Sequence, residues 1–100
     1  HEGIDFSAAE GEPIFATAGG IVERAQKWGR YGNLITINHG GGLETRYAHL
    51  SKILVKKGQI VNKQDLIGLV GNTGRSTGPH LHYEIRLNDH SLDPKQYLKR

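Results

Sequence analysis

The stretch HLHYEIRL, residues His80–Leu87, decides the fold class, because its apolar and polar side chains alternate strictly. A period of two is typical of a β-strand that buries one face and leaves the other open. The face expected to be buried carries Leu81, Tyr83, Ile85 and Leu87. The opposite face, expected to line a cleft, carries His80, His82, Glu84 and Arg86. The chain is therefore predicted to build a sheet with two imidazoles on its polar side.

Glycine recurs at short intervals along the chain. It accounts for 14 of the 100 residues and separates short runs of apolar residues. This spacing indicates many short strands joined by turns, one of them a hairpin loop at 39–42. The other predicted strands cover residues 20–25, 33–38, 43–50, 53–61 and 65–71. Asp93 as a cap and Pro94 in the first helical position predict a short C-terminal helix. We therefore expect a single all-β, mostly antiparallel domain over residues 1–100.

The amino-acid composition excludes several classes of function. The chain has no cysteine, which excludes thiol catalysis, disulfides and cysteine-type zinc sites. Its net charge of +3 suits an anionic partner such as a cell-wall polymer or nucleic acid, although a solvated surface with a small excess of lysine explains the charge better by itself. No arginine-rich run or aromatic signature supports a nucleic-acid partner. No apolar run is long enough to span a bilayer. Because His1 already belongs to a motif, we expect a domain cut from a longer protein, with an upstream regulatory or targeting domain as one option.

Six histidines in 100 residues make metal binding or acid–base chemistry a candidate function. His80 and His82 share a strand face, although a polar surface strand would explain them equally well. His1 and Asp5, in HEGID, are residue types that bind zinc, but an ordinary polar terminus would also explain them. His49 ends the run Tyr47-Ala48-His49-Leu50, where alternation puts it on the same face as Tyr47.

Two further features of the sequence are weaker signals. His39 and His90, in a turn and a loop, are interpreted as bystanders. The segment GNTGRSTGPH (71–80) resembles a phosphate-binding loop only superficially, because it lacks the Gly-Lys-Ser/Thr ending and does not lead into a helix. We interpret it as a tight loop that lets backbone approach a ligand and delivers His80 and His82 to a cleft.

Taken together, these pieces resemble the lysostaphin/LytM-type zinc metallopeptidases of bacterial cell walls. The matching stretches are HEGIDFSAAEGEPIFA, GRYGN, RYAHLS, VKKGQIV, GNTGRSTGPHLHYEIR and LDP, and they cover nearly the whole chain. The family pattern usually has a threonine where Glu12 stands and a glycine where Gln64 stands, and both positions lie outside the metal set. The resemblance implies an all-β fold of the duplicated-hybrid-motif type, with a long substrate cleft across a sheet.

By position, the resemblance implies that His1, Asp5 and His82 bind zinc and that His49 and His80 form the catalytic pair. It implies hydrolysis of stem peptides or cross-links of peptidoglycan, and hence a periplasmic or extracellular place in the cell envelope. Tyr31 and Asn33, in GRYGN, are implied substrate contacts, although turn chemistry explains Gly32-Asn33 equally well.

The chemistry of the residues agrees with these roles. Three protein ligands leave one zinc position open, which is the catalytic pattern, and histidines can act as acid and base near neutral pH. Glu84 is a candidate to orient an imidazole, and a surface ion pair with Arg86 is the alternative.

Two other functions compete with the peptidase. A non-enzymatic relative that binds cell wall and activates another hydrolase would show gaps among the five metal and catalytic positions, and none is present. A biotinyl- or lipoyl-like carrier is suggested by VKKGQIVNKQDLIGLVG (55–71), but a carrier has no use for the histidine cluster.

Overall fold

A computed structural model describes residues 3–93 of the protein. These residues form nine β-strands and one 3₁₀ turn, Gly29–Tyr31. The strands are β1 (Ile4–Ser7), β2 (Pro13–Phe15), β3 (Gly20–Lys27), β4 (Asn33–Gly40), β5 (Leu43–Ile53), β6 (Ile60–Val61), β7 (Leu66–Val70), β8 (His80–Leu87) and β9 (His90–Leu92). No helix within residues 3–93 is long and apolar enough to cross a bilayer.

The strands pair antiparallel throughout the described chain, which confirms the predicted fold class. The main order is β1-β8-β5-β4-β3-β6, with β7 paired to β5 and β2, and β9 paired to β8. Strand β8 thus lies between β1 and β5, so His82 faces Asp5 on one side and Ala48 on the other. Because directly opposed residues share a face, this register gathers polar side chains from three strands on one side of the sheet.

The other face of β8 packs into the core. Tyr83 lies opposite Tyr47 of β5, both are buried, and their ring centroids are 5.4 Å apart. Their hydroxyls both contact Oγ1 of Thr17, at 2.9 Å from Tyr83 and 3.0 Å from Tyr47. Burial raises the pKa of Tyr83 to about 12. Ile85 is also buried, so two members of the predicted apolar face lie in the core as expected, while Leu81 is only partly buried.

The fourth member of that face, Leu87, is 37% exposed, and its predicted burial is wrong. Leu87 is the last residue of β8, directly before the turn at Asn88 and Asp89, so it lies at an end of the sheet and not in its middle. The predicted strand over 53–61 is also wrong. Ile53 ends β5 and Ile60–Val61 form β6, but residues 54–59 between them form no strand, because Gln59 donates its N–H to the carbonyl of Lys56 and closes a turn.

The remaining strand predictions are confirmed with shifted ends, whereas β1, β2 and β9 were not predicted. Each of these three strands has only three or four residues, too few for a periodic pattern to stand out. The predicted C-terminal helix from Pro94 lies outside the described residues.

Candidate active site

The floor of the site is formed by Asp5, His82 and Glu84 on neighbouring strands. Oδ1 of Asp5 is 2.7 Å from Nδ1 of His82, and Nε2 of His82 is 2.9 Å from Oε2 of Glu84. The hydrogen bond to Glu84 raises the pKa of His82. Burial by itself would raise the pKa of Glu84, but the hydrogen bonds from His82 and Tyr31 outweigh it and the pKa is lowered. The imidazole is thus held between two carboxylates, with one of its nitrogens turned toward Asp5.

Glu84 is the buried anchor of this floor, with 1% of its surface exposed. Its second oxygen, Oε1, accepts from the Tyr31 hydroxyl at 3.3 Å and lies 3.4 Å from Nη1 of Arg86. Arg46 in turn donates from Nη1 to the Tyr31 hydroxyl at 3.1 Å. The two contacts that the sequence left as alternatives for Glu84, to an imidazole and to Arg86, therefore coexist on different oxygens.

Gly3 is a site residue that the sequence reasoning missed. A Cβ placed there would clash with the carbonyl oxygen of Tyr83 and would lie 2.8 Å from Cγ of Glu84 and 3.0 Å from Cε1 of His82. The backbone before Asp5 thus passes directly over the Glu84–His82 pair, and only glycine leaves room for it. The glycine between His1 and Asp5 in HEGID was the available signal.

His49 reaches the site through a β-bulge. Asn33 pairs with Leu50 and Ile35 with Tyr47, so β5 holds one residue more than β4 across this interval. His49 takes a φ of 65°, in the left-handed region, which re-aims its side chain. The expectation that Tyr47 and His49 share a face is therefore wrong: Tyr47 lies in the core, whereas the His49 ring lies 4.9 Å from that of His80 between centroids.

Both His49 and His80 have their Nδ1 atoms bonded to backbone carbonyls. Nδ1 of His49 is 2.6 Å from the oxygen of Thr73, and Nδ1 of His80 is 2.7 Å from that of Gly78. A carbonyl oxygen can only accept, so each Nδ1 carries a proton and each ring is left with Nε2 for other partners. Burial lowers the pKa of His49, which favours the neutral ring. A neutral imidazole with its Nε2 lone pair available is suited to take a proton.

Two loops line the sides of the site, one before β4 and one before β8, and hydrogen bonds join them. N–H of Asn33 donates to Oγ1 of Thr73 at 3.1 Å, and that hydroxyl donates to the carbonyl of Leu50 at 2.6 Å. The side-chain Nδ2 of Asn33 donates to the same carbonyl at 2.8 Å. Asn33 therefore ties the loop to β5, whereas Tyr31 lines the pocket. The open pocket between these loops and the sheet has a volume of about 600 Å³.

The described residues include only part of the predicted zinc site. Of the three predicted zinc ligands, Asp5 and His82 meet, and His1 lies outside the described residues. Within residues 3–93, no three histidine, cysteine, aspartate or glutamate side chains are arranged so that together they could hold one metal ion. His39 bonds Gly19 and Thr45 and does not line this pocket, nor does the exposed His90.

An antiparallel all-β domain with an Asp–His pair and two carbonyl-tethered histidines in one pocket fits the metallopeptidase class. The chain belongs to peptidase family M23, whose family model matches residues 1–94. It is 52% identical over 85 residues to the peptidoglycan DD-endopeptidase ShyA of Vibrio cholerae, which covers 85% of this chain and 20% of that protein.

Solved structures agree with the family assignment. The catalytic domain of lysostaphin from Staphylococcus simulans superposes with a TM-score of 0.94 at 36% identity, covering 100% of this chain and 80% of the other. A zinc-containing peptidase from Vibrio cholerae gives a TM-score of 0.89 at 44% identity, covering 92% and 28%. The chain spans about a fifth of the length of curated relatives that it matches.

Proposed function

We propose that this domain is a zinc-dependent endopeptidase that hydrolyses peptide cross-links or stem peptides of bacterial peptidoglycan. The observation that carries the proposal is the convergence in one pocket of the Asp5–His82 pair with His49 and His80, whose Nδ1 atoms are bonded to backbone carbonyls. Nε2 of His80 lies 3.6 Å from Oδ1 of Asp5, so the two groups share the same space. Membership of peptidase family M23 and similarity to a peptidoglycan DD-endopeptidase support the substrate class.

The proposed zinc ligands are His1, Asp5 and His82. The residues fit zinc, because Oδ1 of Asp5 and Nδ1 of His82 face one another and are the oxygen and nitrogen donors that zinc prefers. The contact of His82 Nε2 with the buried Glu84 supports this set, since a ligating histidine usually gives its other ring N–H to a carboxylate. Zinc in this position would supply an activated water and polarise the scissile carbonyl.

His49 and His80 are the proposed catalytic residues. With Nδ1 bonded to Thr73, His49 offers Nε2 as a base that removes a proton from the attacking water. His80 approaches the same space from β8 and, when protonated at Nε2, can donate to the developing oxyanion or to the leaving amine. The geometry that supports the pairing is the 4.9 Å separation of the two ring centroids.

Tyr31 and Asn33 remain the proposed substrate contacts, with different support. Tyr31 lines the pocket beside Glu84, so its ring is within reach of a bound peptide. The side-chain amide of Asn33 is bonded to Leu50, which leaves mainly its carbonyl oxygen for a substrate. A place in the cell envelope, periplasmic or extracellular, follows from the proposed substrate. The proposed domain organisation is a single catalytic domain over residues 1–100.

The test is digestion of purified peptidoglycan sacculi of different cross-link chemistry, with fragments identified by mass spectrometry. We expect cross-linked muropeptides to be converted to shorter peptides, conversion to stop with a chelator and to return with added zinc. Binding to sacculi and zinc without release of any peptide would instead establish the non-enzymatic wall-binding module.

A further inference from the structure

Two arginines stand on the loop wall of the pocket, across from the acidic floor. Arg30 belongs to the 3₁₀ turn and Arg75 to the loop that precedes β8, and both line the pocket. The N–H of Arg75 donates to the carbonyl of Arg30 at 2.9 Å, so the two residues are adjacent although they come from different loops. The backbones of two arginines that line the pocket are therefore tethered to each other at the edge of the candidate active site.

The loops that carry these arginines are locked together by two glycines. A Cβ on Gly32 would lie 2.5 Å from N of Gly74 and 2.6 Å from Oγ1 of Thr73. A Cβ on Gly74 would lie 2.7 Å from Cα of Gly32. Such close backbone packing fixes the relative position of the loops, so the bases of both arginine side chains are held before any ligand binds.

The charges of the pocket differ in whether they already have partners. On the floor, Asp5 and Glu84 both contact His82, and nearby Arg46 contacts Glu44 at 3.1 Å. Within residues 3–93, no carboxylate lies within ion-pair distance of Arg30 or Arg75. The loop wall thus presents two cations that have no carboxylate partner in this part of the chain, while the floor presents carboxylates that would repel an anion.

We propose that Arg30 and Arg75 bind a carboxylate of the substrate peptide beside the scissile bond, so that the domain selects acidic over neutral peptides. This inference rests on the proposed peptidase function and adds the charge of its substrate. A guanidinium can donate two parallel N–H hydrogen bonds to a carboxylate. Two guanidiniums can together donate to both of its oxygens. With its carboxylate bound at the loop wall, the peptide places its scissile amide above the floor of the pocket, next to His49 and His80.

The test uses two synthetic stem-type peptides that differ only in one group next to the scissile bond, a free carboxylate in one and a carboxamide in the other. Cleavage is measured for the parent domain with zinc, R30Q, R75Q and the control R24Q. Arg24 is a suitable control because its guanidinium lies 3.5 Å over the Trp28 ring and does not line this pocket. Binding of both peptides to metal-free protein is measured in parallel by calorimetry.

The parent is expected to have the higher kcat/KM on the acidic peptide. R30Q and R75Q are each expected to lower kcat/KM by about tenfold on the acidic peptide and by less than about threefold on the carboxamide. A tenfold loss corresponds to the free energy that one hydrogen bond to a charged group contributes at a solvent-accessible site. R24Q should match the parent. Equal cleavage and equal binding of the two peptides, unchanged in R30Q and R75Q, would overturn the inference. Failure of the parent to cut either peptide would overturn the peptidase proposal instead, and the binding measurements would still decide the role of the arginines.

Discussion

His49 donates its Nδ1 proton to the carbonyl oxygen of Thr73 across 2.6 Å, which fixes the orientation of its ring. That bond joins a bulge in β5 to the loop that leads into β8, and therefore to His80. The proposed base is in this way held by the same loop that delivers its partner. The arrangement separates the two proposed catalytic histidines from Asp5 and His82, the proposed zinc ligands.

This separation predicts that His49→Ala and His80→Ala fold, keep stoichiometric zinc and lose most peptide hydrolysis. Neither side chain is a proposed ligand, and general acid–base groups contribute roughly a hundred- to ten-thousand-fold in rate. The fall should appear mainly in kcat, because the groups act in the transition state. The measurement is metal analysis together with hydrolysis rates, and His90→Ala, an exposed histidine outside the pocket, is the matched control. Parent-level rates in both pocket variants would refute the catalytic assignment.

Glu84 is predicted to set the zinc affinity through His82, without touching the metal. Glu84→Gln keeps the shape of the buried side chain but weakens its hold on Nε2 of His82, so the zinc dissociation constant should rise by about ten- to a hundredfold. His82→Ala, which removes a proposed ligand, should weaken zinc binding more than Glu84→Gln does. Competition with a chromogenic chelator measures both.

Glu44→Gln is the control for this comparison, because Glu44 lies on the same face but pairs with Arg46 and Arg86. Its zinc affinity should equal that of the parent. Zinc that stays bound at full strength in His82→Ala would show that His82 is not a ligand.

Gly3→Ala is predicted to damage both fold and site. The added methyl group would meet the Tyr83 carbonyl and Cγ of Glu84, so the strand carrying Asp5 must move away from β8. Overpacking of this kind costs about 2 kcal/mol of unfolding free energy, and the displaced Asp5 should weaken zinc binding as well. Chemical denaturation and zinc titration measure the two effects. Gly19→Ala is the control, since its nearest contact would be an ordinary 3.4 Å; equal losses in the two variants would contradict the prediction.

Sequence patterns predicted the strand that carries most of the site residues, but they did not predict for every residue whether its side chain points into the site. Strict alternation in β8 correctly assigned Tyr83 and Ile85 to the core and His82 and Glu84 to the other face. The same rule failed at His49, because alternation assumes an uninterrupted ladder. The bulge arises where β5 holds one more residue than β4 between paired positions, and no local pattern in β5 contains that information.

The sequence by itself determined the strand-rich fold class, the resemblance to a zinc peptidase family and the residue types available for chemistry. These properties depend on local periodicity and on motif spacing, both of which are written in the order of residues. Only the tertiary structure decided which groups meet: Asp5 lies 2.7 Å from His82 across a separation of 77 positions, and Arg75 bonds to Arg30 between two loops. Such contacts are set by strand register, bulges and glycine-to-glycine packing, which depend on hydrogen bonds between segments distant in the chain.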